Sequence, residues 1–105
     1  EGQDSAVAEI KVLWEKVVAG TAINYLNHGI ANFSDDGNRL HYLTEAYAFI
    51  QALAYNADGT VSLSDSQEIL NALGDNFWTV TINDITTARD LLAAKAGLES
   101  VKTQL

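Results

Sequence analysis

The stretch Leu40-His41-Tyr42-Leu43-Thr44-Glu45-Ala46-Tyr47-Ala48-Phe49-Ile50-Gln51-Ala52-Leu53 decides the fold. Leu40, Leu43, Tyr47, Ile50 and Leu53 recur at intervals of three and four, and Ala46, Phe49 and Ala54 widen the row. That period belongs to a helix, and neither proline nor glycine interrupts it. It predicts a helix from about Asn38 to Tyr55 that is apolar around most of its circumference, as a helix enclosed by others would be. Tyr42, Tyr47, Phe49 and Tyr55 add ring surface at helical spacing, which favours a packed core over a ligand box.

Working upstream, Asn32 to Asn38 contains Ser34, Asp35, Asp36 and Gly37 and reads as a loop. Before it, Val7, Ile10, Trp14, Val17, Val18 and Tyr25, with Leu13, Ile23 and Leu26, predict a helix from Ser5 to about Asn27, ended by His28 and Gly29. Gly20 lies inside that pattern, where it allows a close helix approach or a bend. Working downstream, Ser64 with Gln67 reads as the capping box of a third helix that carries Ile69, Leu70 and Leu73 and stops at Gly74. Thr81 with Asp84 opens a fourth helix carrying Ile85, Ala88, Leu91 and Leu92, with Val80 against Ile85 as a hydrophobic staple. Ser100 to Leu105 adds a short final turn. Phe77 and Trp78, in a loop, are expected to plug one end of the bundle. The segments Thr60 to Asp65 and Thr79 to Asp84 share a Thr-Val-hydroxyl-apolar-polar-Asp pattern, compatible with a strand-like contact between Val61 and Val80. The prediction is an all-α domain spanning residues 1–105: a small bundle of four to five helices around a central second helix.

Composition narrows the chemistry. The chain has 105 residues, no cysteine and a formal net charge of −8. Without cysteine there is no disulfide, thiolate metal site, iron–sulfur cluster or thiol nucleophile. Six basic residues against fourteen acidic ones give no clustered basic footprint for nucleic acid. The apolar runs are far short of the roughly 20 residues that span a bilayer, so no membrane insertion is expected. Gly-x-Ser-x-Gly elbows and phosphate-cradling glycine loops are absent, and Ser5, Ser34, Ser62, Ser64 and Ser100 occupy predicted caps or loops. No catalytic or cofactor-binding residue is assigned. Asn56, Asp58, Gly59, Val61 and Ser62 sit at third, fifth, sixth, eighth and ninth places of a calcium-loop pattern. However, Ala54 in first place offers no side-chain oxygen and Asp65 in twelfth is short for a bidentate clamp. The segment reads as an Asp-Gly turn. His41 and Glu45, one helical turn apart on one face, are the candidate metal ligands, for zinc or iron. His28, Asp35 and Asp36 could approach them from the preceding loop. The competing reading is a helix pair that satisfies a half-buried imidazole.

Three stretches together resemble the C-terminal part of a bacterial family known as domain of unknown function 4856. Leu40 to Leu53 looks like its His-x-Leu-Ser-Glu-Gly-Tyr-Gly-Phe-Ile-x-Ser-Leu segment. Val17 to Leu26 is similar to the helix before it, and Gly74 to Thr81 to its Gly-x-x-Phe-Trp-x-Val-Thr turn. Ala46 and Ala48 stand where the family has glycine, and the family's long N-terminal portion has no counterpart here. The resemblance implies the C-terminal portion, or a fragment, of a larger protein of the bacterial cell envelope, with no established activity. A looser similarity to imelysin-like iron-uptake bundles rests on His41 and Glu45, although the carboxylate there follows histidine by three positions, not four. The expectation is a non-enzymatic helical module that acts by binding or assembly, through a protein partner or a homodimer. The alternative is a metal-binding, uptake-type component.

Overall fold

The computed structural model describes residues 2–55 and 59–105, with residues 2–5 described by backbone alone. Four α-helices run in order, α1 (Gly2–Ala31), α2 (Asp36–Leu53), α3 (Leu63–Leu73) and α4 (Ile82–Ala96), followed by one 3₁₀ turn, Glu99–Val101. Each helix packs on its neighbours in sequence, α1 on α2, α2 on α3, α3 on α4, and α4 back on α1. The all-α bundle expected from the sequence is therefore the fold.

The helix starts are written in side-chain chemistry. Asp35 caps α2 by accepting from the Asn38 N–H at 3.0 Å. Ser62 and Asp65 form a reciprocal capping box on α3, and Thr81 and Asp84 form the same box on α4. The α4 box lies where the sequence predicts it. The α3 box lies two residues before the expected Ser64 and Gln67. From that start Ser66, Ile69 and Leu73 lie on the buried face, and the Ser66 hydroxyl donates to the Ile50 carbonyl at 2.6 Å. Gly97 ends α4 at φ 73°, the left-handed region that glycine enters without a Cβ penalty.

Val61 and Val80 are both buried in the core, yet no strand forms among the described residues, which corrects the expected strand-like contact. The backbone donors that a bridge would use are committed to carboxylates. The Val61 N–H donates to Glu15 at 3.3 Å, the Ser62 N–H to Asp65 at 3.1 Å, and the Thr81 N–H to Asp84 at 3.0 Å.

The core is assembled from Val18, Ala22, Ile23 and Leu26 of α1, Leu43, Ile50 and Leu53 of α2, Ile69 and Leu73 of α3, and Ile85 and Leu92 of α4. The α2 helix buries one stripe, Arg39, Leu43, Ala46, Ile50 and Leu53. It shares the centre with its neighbours, and Tyr42, Tyr47 and Phe49 flank the core half-buried. The α1 helix does not stop at Gly29. A Cβ on that residue would lie 2.8 Å from Leu43 Cδ2, so Gly29 lets α1 pack directly against Leu43 of α2, and the helix continues to Ala31. Gly20, the glycine expected at a close approach, has nothing within 4 Å of a Cβ built on it.

Candidate functional site

His41 is exposed and Glu45 half-buried on α2, and His28 is exposed on α1. The two histidines converge on one ring. His28 stacks on Tyr42 at 5.0 Å between centroids and His41 meets it more edge-on at 5.4 Å. Tyr25 lies 6.2 Å from Tyr42 and stacks on Phe49 at 5.8 Å, giving an aromatic strip along the α1–α2 seam. The loop carboxylates are used elsewhere. Asp35 caps α2, and Asp36 pairs with Arg39 at 2.9 Å. Among the described residues no three His, Asp or Glu side chains gather closely enough to hold a metal ion. Asn56 and Asp58 of the calcium-like segment lie outside the described residues, and its last member, Asp65, serves the α3 cap and pairs with Lys95 at 3.4 Å. The Ser62 N–H first, then the Ser62 hydroxyl and Lys95, hold the Asp65 carboxyl below its ordinary value against the opposing effect of burial.

Sequence reading missed two buried charges. Glu15 is 4% exposed and Arg39 6%. The Glu15 carboxylate accepts from the Thr60 N–H at 3.0 Å, the Thr60 hydroxyl and the Val61 N–H, and so ties α1 to the segment entering α3. Arg39 donates from Nε to the Phe77 carbonyl at 3.0 Å and from Nη1 to the Phe33 carbonyl at 2.6 Å, while its guanidinium lies 5.2 Å from the Phe33 ring. It joins the α1–α2 turn to the α3–α4 loop. Buried charges are tolerated when hydrogen-bonded in this way. A signal was present: Glu15 precedes Val18, Ala22 and Leu26, and Arg39 precedes Leu43 and Ala46, each continuing a buried row at helical spacing. Near Arg39, Phe77 turns inward against Tyr47, with ring centroids 6.2 Å apart. Trp78 is 65% exposed, so only one of the expected pair plugs the bundle.

A third missed feature lies on α1. Its 30 residues rise about 45 Å at about 1.5 Å each, whereas its neighbours are shorter. At the far end Lys16 Nζ reaches the Ala96 carbonyl at 3.4 Å, where α4 finishes. With α2 running antiparallel from Asp36 to Leu53, both neighbours are exhausted near Lys16, and the first half of α1 projects beyond the bundle. The molecule is accordingly elongated, 51 × 25 × 20 Å. Val7, Ile10, Leu13, Trp14 and Val17, placed in the core stripe by sequence spacing, are exposed; Ile10, Leu13 and Val17 are each above 60%. Ile10 and Trp14 line a groove with Lys11, Ala52 and Tyr55.

Comparison with known proteins gives one result. The model of a family described as a domain of unknown function, DUF4856, matches residues 1–99. The chain belongs to the DUF4856 family. Within this DUF4856 match lie the projecting half of α1, the aromatic seam and both buried charges. Residues 100–105 fall outside it, although Asn27 of α1 donates to the carbonyls of Lys102 and Leu105 at 2.7 and 3.1 Å. No curated protein and no solved structure matches this DUF4856 chain, and an imelysin-like relationship is not shown.

Proposed function

We propose that the chain is a non-enzymatic helical binding or assembly module of the bacterial cell envelope, acting through the projecting half of α1. One observation carries the reading: Val7, Ile10, Leu13, Trp14 and Val17 stand in solvent on a single helix. A contiguous apolar surface of this kind marks an interaction site. Trp is also among the residue types enriched where interfaces concentrate their energy. The envelope location rests on the resemblance of the DUF4856 family to envelope proteins. No helix among the described residues is long and apolar enough to cross a membrane.

The test is site-specific photo-crosslinking in cells that make the protein at native level. A crosslinker at Val17 is expected to form a discrete adduct, and one at exposed Thr87 of α4 none. Absence of an adduct at Val17, or equal adducts at both positions, would overturn the reading.

A second reading rests on His41 and Glu45 alone, one helical turn apart on α2, which would supply two of a metal's ligands. It is a zinc- or iron-binding component. A thermal melt with chelator and then with Zn²⁺ or Fe²⁺ tests it: a metal at about 100 times its dissociation constant adds about 2.7 kcal/mol. A midpoint shift that disappears in His41→Ala supports the reading, and no shift with either metal rejects it.

A further inference from the structure

We infer that the projecting half of α1 pairs with the same segment of a second copy, antiparallel, around a two-fold axis between Ile10 and Leu13; the inference rests on the binding role proposed above. Ala6, Ile10, Leu13, Val17 and Gly20 follow one another at steps of 4, 3, 4 and 3, the spacing of a coiled-coil seam. Ala6, Ile10, Leu13 and Val17 are exposed, and a Cβ on Gly20 would meet nothing within 4 Å. The seam is thus open along its length and small at one end, as a close helix approach requires.

Charge sets the orientation. In this register Glu9 and Lys16 occupy equivalent flanking positions, each just before an inner seam residue, and Val7 and Trp14 occupy the positions on the other flank. Antiparallel pairing that seats Ile10 on Leu13 of the second copy, and Ala6 on its Val17, brings Glu9 against Lys16 of the second copy, whose ammonium has donors to spare beyond the one that reaches its own Ala96 carbonyl. The symmetry repeats that contact, as an isologous interface must. The other flank then places Trp14 over Val7 of the second copy, covering both. Parallel pairing would set Glu9 against Trp14 and Lys16 against Thr21, leaving neither charge with an opposite partner.

Two further observations favour a second copy as the occupant. The chain carries −8 overall, so most faces repel another copy. Residues 6–20, however, hold two acidic and two basic side chains, so this segment adds no net repulsion of its own. A projecting helix of this length without tertiary support is also marginal in water, because helices in proteins draw most of their stability from packing. Pairing supplies that support.

Sedimentation equilibrium of the full 105-residue chain at low ionic strength tests the inference. The expected result is a monomer–dimer equilibrium that Leu13→Glu abolishes while circular dichroism and the thermal midpoint of the bundle stay unchanged. Glu9→Lys replaces two attractive contacts by two repulsive ones and should weaken the dimer about tenfold; adding Lys16→Glu, which by itself would also remove the contact to the Ala96 carbonyl, should restore the pairing. A chain that stays monomeric at every concentration overturns the inference, as does a dimer indifferent to Leu13→Glu. A dimer lost in Leu13→Glu but insensitive to the charge reversals overturns the antiparallel register. The crosslink at Val17 separates this from the broader reading. An adduct of twice the chain mass supports pairing. An adduct with a different protein overturns pairing and leaves the binding role intact, whereas no adduct removes both.

Discussion

The two halves of α1 have similar apolar content and opposite fates. From Val18 onward, Ala19, Ala22, Ile23 and Leu26 are buried, and Gly29 is pressed against Leu43. Before it, Val7, Ile10, Leu13 and Val17 face solvent on the same continuous helix. The difference lies in which side of the helix each row occupies. At about 100° per residue, Glu15, Val18, Ala22 and Leu26 share the side packed in the bundle, whereas Ile10, Leu13 and Val17 lie on the opposite side. Local periodicity thus specifies that a helix forms, while the placement of its neighbours specifies which row becomes core.

The contrast breaks most sharply under truncation. Leu26→Ala, at a fully buried position, should cost about 2–5 kcal/mol by urea denaturation, since the cavity term adds to lost transfer energy. Leu13→Ala should stay within about 0.5 kcal/mol of wild type for folding of the monomer, as exposed sites do. Equal losses at the two positions would mean that the first half of α1 is packed within the monomer.

Glu15 marks the border between the halves. Glu15→Ala leaves the Thr60 and Val61 N–H groups without their carboxylate and should cost about 1.5–3 kcal/mol, the range for hydrogen bonds to a charged group. Glu15→Gln retains one acceptor oxygen and should cost less. The two glycines sharpen the comparison in sign. Gly20→Ala meets open space and should raise stability by about 0.5–1 kcal/mol through helix propensity. Gly29→Ala drives a methyl to 2.8 Å from Leu43 Cδ2, and overpacking of about 1–3 kcal/mol outweighs the same propensity gain. Differential scanning calorimetry of the two variants should therefore move in opposite directions.

The smallest effect is electrostatic and confined to the bundle. Burial pushes the Asp90 carboxyl up, but hydrogen bonds from Arg89 at 3.1 Å and Lys102 at 3.3 Å outweigh it and hold it below its ordinary value. Asp65 is lowered as well, first by the Ser62 N–H. A carboxylate depressed in the folded state stabilises above its unfolded value, and that contribution is lost as pH falls through the folded one. Thermal midpoints should thus decline below about pH 4, and the decline should flatten in Asp65→Asn/Asp90→Asn. A profile that is the same in the double variant would contradict the assignment.

Much of the bundle was legible in the sequence because helix starts are local chemistry. The Thr81–Asp84 box and the Asp35 loop needed only neighbours three residues apart. The Ser62–Asp65 box was displaced to Ser64–Gln67 because two hydroxyls offered the same spacing and only burial of Ser66 and Ile69 decides between them. The aromatic seam was half legible: His41 and Tyr42 share a helix, whereas the stacking of His28 on Tyr42 depends on how α1 lies against α2. Nothing local distinguishes Gly20 from Gly29, and nothing in α1 reports on which of its sides α2 and α4 will lie, with Leu13 facing away from the buried row. Glu15 and Arg39 continue buried rows but carry no assignment from the sequence, since a polar residue on an apolar stripe identifies itself only when its partners, here Thr60, Phe33 and Phe77, are placed in space.

The central claim is that the first half of α1 is a surface made to be covered by a second copy. Amide hydrogen exchange of the full chain across a range of protein concentrations tests it most directly. Residues 7–17 should gain protection as concentration rises, while residues 19–29 stay protected throughout. Protection of residues 7–17 that is the same at all concentrations, whether high or absent, would contradict the account.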